Sequence, residues 1–344
     1  MKYTLPRLLL LLPLFCCFYG HGTLSAQGKE KTDFDFTRRD PLAGYATRDN
    51  WLTPADSFHA ERFYTAAGTG AIVYTAFSYG LYDIWYKDYA KSAFHTFDDW
   101  PEWNQMDKGG HFYSAYMYSK HIFAGLRWAG LKRPAARYTT LGVANLLQGT
   151  IEVFDGYSDE WGFSWTDMGA NLAGSLVFTL QDIAWHEQRI LIKVSNDLRP
   201  HPDVPVYRGD HTSNLGYVSR LRFGDYPFER YIKDYNALTY WISVNPASFL
   251  PDSRLPDWLN IAVGYGSEDV YGAYGNSWQD PEGNRFNYGP ERYRQYYLSP
   301  DVYFSRIPTR KRWVRLALGI LDFVKIPAPA LEYSKGKFSA HWLM

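Results

Sequence analysis

Residues 107–111 of the chain read Asp-Lys-Gly-Gly-His, and residues 164–174 read Ser-Trp-Thr-Asp-Met-Gly-Ala-Asn-Leu-Ala-Gly. Both polar stretches interrupt segments that are otherwise apolar and helix-like. Side chains four positions apart lie on one face of a helix. We therefore expect Asp107 to lie beside His111, and Asp167 beside Asn171. The two stretches predict helices that meet around a polar centre.

The polar centre is the candidate functional site, because acids, an imidazole and an amide among apolar helices cost free energy unless they are paired or used. His111 is the candidate general acid or base, and Asp107 is placed to orient its ring. The other candidate catalytic residues are Glu152, Asp155 and Asp167. The candidate substrate-binding residues are Lys108, which is expected to point away from the Asp–His pair, Ser164 and Asn171.

The same residues allow two other interpretations. Histidine and carboxylates together can hold a divalent metal. However, His111 is the one good nitrogen ligand evident among the candidate residues, so we predict no metal ligands. A purely structural network that locks the helices in register is the other alternative. Ser164 as a helix N-cap, with Asp167 three positions later, explains those two residues without any function. No cofactor is indicated.

Four long apolar segments carry these residues and predict helices. Each is about as long as a short membrane span, and small residues recur in them at the spacing of helix contacts. We therefore predict a membrane-associated four-helix bundle over residues 61–198, seated in or against a bilayer. The segments are residues 62–86, 108–129, 138–154 and 166–185.

The pattern changes after about residue 198. Residues 199–216 are rich in Pro, Asp and Gly and are predicted to be a linker. Residues 217–344 are Tyr-rich and strand-prone, so the predicted fold class is α+β. The segments that resemble strands or mixed structure are 240–244, 258–265, 292–298, 302–307 and 314–320.

The first 26 residues have the features of a secretory signal peptide: basic residues, an apolar run and a small-residue cleavage site before Gln27. Residues 27–60 follow without clear periodicity. Cleavage before Gln27 would remove both cysteines, Cys16 and Cys17. The formal net charge of zero excludes nucleic acid as a natural partner. The sequence predicts an exported protein of the periplasm or outer membrane.

Taken together, the motifs resemble VanZ-like membrane proteins and, more closely, the YfiM-type envelope lipoproteins, a family of unknown function common in Bacteroidota. The shared elements are Asp-Lys-x-x-His, a later Glu, and Ser-x-x-Asp-x-x-x-Asn-x-x-Gly, within residues 60–190. The C-terminal half looks like the extension of the Bacteroidota members. This resemblance implies an envelope location and a helical bundle with a polar centre. Phe15 departs from the lipoprotein members, because a lipobox has a small residue there.

Two classes of function follow from these observations. The first is a membrane-associated enzyme that acts on lipid or on a lipid-linked glycan through the Asp/His/Glu site. The second is a non-catalytic envelope protein, either a scaffold or partner of an outer-membrane complex or a glycan-binding surface protein. The expected partners are therefore a membrane, an envelope lipid or glycan, or an outer-membrane protein.

Overall fold

The computed structural model of the protein describes residues 54–55, 57–86, 90–197, 199–250, 252–309 and 311–344. The predicted signal peptide, residues 1–26, lies outside the described residues. So does nearly all of the segment 27–60.

Within these ranges the chain forms seven α-helices and ten strands. The helices are α1 (Ala60–Leu81), α2 (Met106–Trp128), α3 (Arg133–Gly156), α4 (Trp165–Trp185), α5 (Leu215–Phe223), α6 (Pro227–Lys233) and α7 (Arg312–Leu321). The strands are β1 (Ile190–Asn196), β2 (Pro205–Arg208), β3 (His211–Asn214), β4 (Leu238–Val244), β5 (Leu259–Glu268), β6 (Ser277–Gln279), β7 (Arg285–Asn287), β8 (Tyr293–Val302), β9 (Ala330–Ser334) and β10 (Lys337–His341).

The ends of α3 and α4 follow from local sequence. Pro134 stands in the first turn of α3, where its missing N–H costs nothing. Ser164 is the N-cap of α4, and its hydroxyl accepts a hydrogen bond from the Asp167 N–H at 3.0 Å. Helix α4 ends where His186 adopts a left-handed conformation with φ of 58°. The predicted capping role of Ser164 is confirmed.

Helices α2, α3 and α4 pack closely around an aromatic core. Tyr116 and Phe123 of α2 contact Phe178 of α4 edge-to-face. The α2–α4 crossing is tight at Gly174, where a Cβ would overlap the backbone carbonyl of Phe112. Glycine is therefore required by this crossing.

Six of the strands form one antiparallel sheet in the order β1-β4-β5-β8-β9-β10. The pairs β2–β3 and β6–β7 form two small separate sheets. Helix α2 packs on one end of the large sheet. A buried cluster joins them there, consisting of Met106, Val194 and Leu238 with Tyr113 and Tyr240 against it.

The predicted membrane-associated four-helix bundle is wrong. Helices occur at the four predicted positions, but they share their core with the six-stranded sheet, whose first strand, β1, lies inside the span assigned to the bundle. None of the described helices is long and apolar enough to cross a membrane. The physical reason lies in α2, whose buried positions include Lys108, Ser119 and Lys120. The fold is mixed α and β.

The C-terminal strand predictions hold in part. Strands β4, β5 and β8 cover the segments 240–244, 258–265 and 292–298. Residues 304–306 form a short 3-10 turn instead, and 314–320 belong to α7. In that helix Arg315 and Gly319 are buried, followed by Asp322 just beyond its end, which is helical spacing rather than alternation. The segment predicted as a linker contains the β2–β3 hairpin.

Candidate functional site

Lys108 lies at the centre of a buried ionic cluster formed by α2, α4 and the segment before α2. Its Nζ is 2.7 Å from Asp99 Oδ2, 2.8 Å from Asp167 Oδ1 and 3.1 Å from Asp107 Oδ2. A single ammonium group therefore serves three carboxylates. This differs from the expectation that Lys108 points away from the Asp–His pair.

His111 lies beside this cluster and contacts all three helices. Its Nδ1 is 3.1 Å from Asn171 Oδ1 and 3.5 Å from Glu152 Oε1. Gln148 also donates to Asn171 Oδ1, at 2.8 Å. The amide oxygen thus acts as an acceptor, and His111 donates to it from Nδ1.

The second ring nitrogen of His111 faces two carboxylates. Its Nε2 is 3.8 Å from Asp107 Oδ1 and 3.9 Å from Asp167 Oδ1. Both distances are too long for a direct hydrogen bond. Nε2 is therefore the ring atom from which a proton can be exchanged with a bound molecule.

The N-terminus of α4 connects the ionic cluster to Glu152. The Ser164 hydroxyl donates to Asp99 Oδ1 at 2.7 Å, and the Thr166 hydroxyl donates to the same oxygen at 2.6 Å. The Ser164 N–H donates to Glu152 Oε2 at 3.3 Å. Ser164 therefore organises the site and caps the helix at once.

The carboxyl groups of the site differ sharply in acidity. Burial raises the pKa of Glu152 to about 8; the nearby His111 opposes this, and the charges of Asp167, Asp155 and Asp107 add to it. Burial also raises the pKa of Asp167, and the neighbouring Asp107 and Asp99 outweigh the opposing effect of Lys108. Burial alone would raise the pKa of Asp99 too. Hydrogen bonds with Asp167, Lys108, Thr166 and Ser164 instead hold it well below its usual range.

Asp155 lies at the margin of the site. The Tyr86 hydroxyl donates to its Oδ1 at 2.6 Å, and no described contact joins it to His111. Burial raises the pKa of Asp155 to about 7, opposed by the Tyr86 hydrogen bond. Asp155 acts on the site through its charge, which raises the pKa of Glu152.

The site reaches solvent at Asp107 and His111, whose side chains are 25% and 15% exposed. Glu152 and Asn171 lie behind them and are fully buried. Among the described residues, Asn171 Nδ2 has no hydrogen-bond partner, whereas Asp167 Oδ1 lies 2.8 Å from the Lys108 ammonium and Glu152 Oε1 lies 3.5 Å from His111 Nδ1. Buried polar atoms of this kind are normally satisfied. Glu152 and Asn171 therefore act on the ring of His111 from its buried side, and a bound molecule meets the site at Asp107 and His111.

Three of these residues could hold a metal ion. Asp107, His111 and Asp167 each offer one ligand atom, and these atoms lie within 4.8 Å of one another. The Lys108 ammonium, 2.8 Å from Asp167 Oδ1, already brings positive charge to this group. The prediction that the site has no metal ligands stays a prediction.

Four residues of the site escaped sequence reasoning. They are Gln148, Asp99, Tyr86 and Tyr235. Gln148 lies four positions before the predicted Glu152 on α3, so the shared helix face was a signal that could have identified it. Asp99 stands in an acidic, aromatic stretch that resembles a surface turn. Tyr86 and Tyr235, whose hydroxyl donates to Asp107 Oδ1 at 3.1 Å, come from distant parts of the chain and carry no local signal.

Comparison with known proteins supports an envelope protein. Residues 97–182, about a quarter of the chain, match a family described as "Predicted periplasmic lipoprotein (DUF2279)". The matched range holds α2, α3 and most of α4, and every site residue predicted from the sequence. No curated protein and no solved structure matches the chain. The family has no known function, but its description confirms the predicted location: the protein is exported, to the periplasm or in association with the outer membrane.

Proposed function

We propose that the protein is an envelope enzyme that uses the His111 centre for general acid–base chemistry on a lipid or lipid-linked glycan. One observation carries the proposal. A solvent-reaching imidazole stands between an acid whose pKa is about 8, Glu152, and the carboxylates of Asp107 and Asp167. Perturbed acids around a histidine at an opening are typical of catalytic sites. A pKa near neutrality suits proton transfer at physiological pH.

Each residue has a distinct role in this proposal. His111 exchanges a proton with substrate from Nε2, and Asp107 with Asp167 stabilises the imidazolium that forms. Asn171 holds the ring by accepting a hydrogen bond from Nδ1. Glu152, on the buried side of the imidazole ring, stabilises the protonated form of His111. Lys108 and Ser164 hold the carboxylates in place, and Asp155 tunes their charge.

The surroundings of the site favour an amphiphilic substrate. Trp100 and Trp165 are both exposed, and each adjoins a site residue in the chain, Asp99 and Ser164 respectively. Phe163 packs edge-to-face on Trp165, with ring centroids 4.9 Å apart. Exposed indole rings suit surfaces that are half apolar and half wet, and they also stack on sugars. These side chains are expected to contact the non-reacting part of the substrate.

The test compares envelope lipids and lipid-linked glycans by mass spectrometry in a deletion strain. The strain is complemented with wild type, with His111→Gln, or with His211→Gln, a matched change on the exposed β3 strand. Folding of each variant is checked by circular dichroism. We expect a lipid or glycan change that wild type and His211→Gln rescue and a folded His111→Gln does not. Rescue by His111→Gln would overturn the proposal.

A second candidate function, a non-catalytic scaffold, is favoured by one observation. Lys108 ties α2 and α4 to the segment that carries Asp99 through buried ion pairs, which is also what a structural lock requires. In that case a folded His111→Gln variant rescues the deletion strain as well as wild type does. The same strains therefore separate the two functions.

A further inference from the structure

The large sheet exposes apolar side chains on one face, while its buried face combines polar side chains with an apolar cluster of Trp241, Ala262, Tyr297 and Ala330. In β8 the alternate residues Gln295, Ser299 and Asp301 are buried, while Tyr296 and Leu298 are exposed. An antiparallel sheet with one wet face normally shows the reverse pattern. Strands β4, β5 and β9 share this inversion. The exposed face therefore has a purpose other than contact with water.

The inner face already has its own polar interior. Lys193 Nζ lies 2.8 Å from Asp301 Oδ2, and both side chains are completely buried. Ser243 donates to the same oxygen at 2.6 Å, and Gln295 donates to Glu332 at 3.1 Å. These polar contacts, together with the apolar cluster of Trp241, Ala262, Tyr297 and Ala330, fill the inner face. The outer apolar residues are thus not displaced core residues.

The strand register arranges the outer face in ordered rows. Directly paired residues form an aliphatic row across four strands: Ile242, Val263, Leu298 and Leu331. All four are exposed, Val263 to 55%. One pleat further along the strands, a second row is aromatic: Tyr296, Tyr333 and Phe338 are exposed, while Tyr265 is half-buried and its hydroxyl donates to the Asn104 backbone carbonyl. The rings of Tyr333 and Phe338 are 5.0 Å apart.

A cationic row follows the aromatic row. Arg294 precedes Tyr296 by two positions on the same face, and Lys335 follows Tyr333 by two. Both cations are exposed; Lys335 Nζ lies 3.9 Å from Asp269 Oδ2, and Arg294 donates to two neutral acceptors, Gln105 Oε1 at 2.6 Å and the Tyr265 hydroxyl at 3.1 Å. Leu298 and Arg294 are four residues apart on β8, which corresponds to roughly 14 Å. That is about half of a bilayer's hydrocarbon thickness of ~30 Å, or the depth of one leaflet.

We propose that this outer sheet face is a membrane-contact surface that seats in a lipid leaflet with anionic headgroups. Aliphatic side chains match acyl chains, Tyr rings gather at the membrane–water interface, and Lys and Arg reach lipid phosphates. The rows occur in that order along the strands, and the cations stand at one end alone. Charge complementarity with anionic phosphates therefore selects lipid over a second copy of the chain. This surface goes beyond the proposed function and does not depend on it.

Vesicle flotation tests the surface directly. The protein is residues 27–344, so that no acyl anchor contributes, and the vesicles contain phosphatidylethanolamine and phosphatidylglycerol at about 3:1 or phosphatidylcholine alone. The Val263→Thr/Leu298→Thr double variant keeps the strand propensity but removes apolar contact. We expect wild type to float with the anionic vesicles and the double variant to partition about tenfold more weakly. Val204→Thr, an exposed change outside the large sheet, is the matched control and is expected to float like wild type.

The cationic row has a separate readout. Lys335 has φ of 48°, a left-handed conformation that asparagine tolerates, so Lys335→Asn removes the charge with little strain. We expect about fivefold weaker partitioning to the anionic vesicles, and no change with phosphatidylcholine. Thermal unfolding confirms that each variant is folded, and the single variant Leu331→Thr replaces the double variant if that one is not.

Three results would overturn the proposal. Wild type could fail to float with anionic vesicles, or the folded face variants could float as well as wild type. Alternatively, a wild-type dimer in solution could become a monomer in the double variant while flotation stays unchanged. That last result would assign the face to a second copy of the chain.

Discussion

Lys108 and Asp99 form an ion pair of 2.7 Å in which both side chains are buried. The same ammonium group also serves Asp107 and Asp167. Negative groups therefore outnumber positive ones around it. Burial raises the pKa of Asp167 and this excess adds to the effect, whereas hydrogen bonds with Asp167, Lys108, Thr166 and Ser164 hold the pKa of Asp99 low.

Removing the Lys108 charge is expected to destabilise the fold strongly. Lys108→Met keeps the length of the side chain but leaves buried carboxylates without their cation. We expect the free energy of unfolding to fall by about 3–5 kcal/mol, measured by urea denaturation. Lys132→Met, at the exposed N-cap of α3, is the control and should stay within about 0.5 kcal/mol of wild type. Equal effects of the two changes would contradict the central role of Lys108.

Stability is expected to fall as the pH rises from about 5 to 8. Unfolded Glu and Asp side chains titrate near 4, while the folded pKa values of Glu152 and Asp155 are about 8 and 7. Between these limits the folded protein binds protons that the unfolded chain has lost, so deprotonation favours unfolding. Above the folded pKa values both states are deprotonated, and this contribution to the free energy of unfolding is completely lost. Asp99, with its lowered pKa, is ionised in both states over this window and contributes no slope.

Chemical denaturation at pH 5.5 and 8.5 measures this dependence. Glu152→Gln cannot titrate, so we expect it to flatten the fall in unfolding free energy between the two pH values. The Glu160→Gln variant, in the exposed loop before α4, is the control and should keep the wild-type slope. If Glu152→Gln leaves the slope unchanged, the proton is held elsewhere.

The α2–α4 crossing is expected to tolerate no side chain at Gly174. Gly174→Ala would place a methyl group against the Phe112 carbonyl, so the helices must separate. We expect a loss of about 1–3 kcal/mol in unfolding free energy. Gly169→Ala lies in the same helix with open space around it and should be neutral or slightly stabilising, by up to about 1 kcal/mol. Similar melting temperatures for the two variants would show that the crossing is loose.

The buried pair of Lys193 and Asp301 is expected to behave as a unit. Lys193→Met alone leaves a buried carboxylate unpaired and should cost about 3–5 kcal/mol. The double change Lys193→Met/Asp301→Leu removes both charges and should recover much of that loss. A double-mutant cycle of urea denaturation measures the coupling. Additive losses would mean that the two side chains act independently.

Much of the helical site was predictable, because its geometry is local. Asp107 and His111 share a helix face by spacing alone, and the Ser164 cap follows from residue type. The four apolar segments also fall where α1 to α4 form. The prediction that these helices contact a membrane was wrong. The long apolar segments suggested a membrane, whereas their polar positions face a core that the helices share with the sheet.

The sheet was harder to predict, because its pairing is non-local. Strand β1 follows α4 after four polar residues, 186–189, and pairs with β4, so that Ile190 lies opposite Val244 across many intervening residues. Alternation along β8 was visible, but which face is covered depends on distant segments, such as Pro329, whose carbonyl accepts a hydrogen bond from the buried Ser299. The burial of Lys193 likewise depends on Asp301, far away in sequence.

Tyr235 connects the C-terminal half of the chain to the candidate site. Its hydroxyl reaches Asp107 from outside the family-matched range, and its ring rests against Trp103 at a centroid distance of 5.3 Å. A shorter protein limited to residues 97–182 would leave Asp107 open to water. The C-terminal half therefore covers part of the Asp107 carboxyl group, so that residues from inside and outside the family-matched range together shape the entrance to His111.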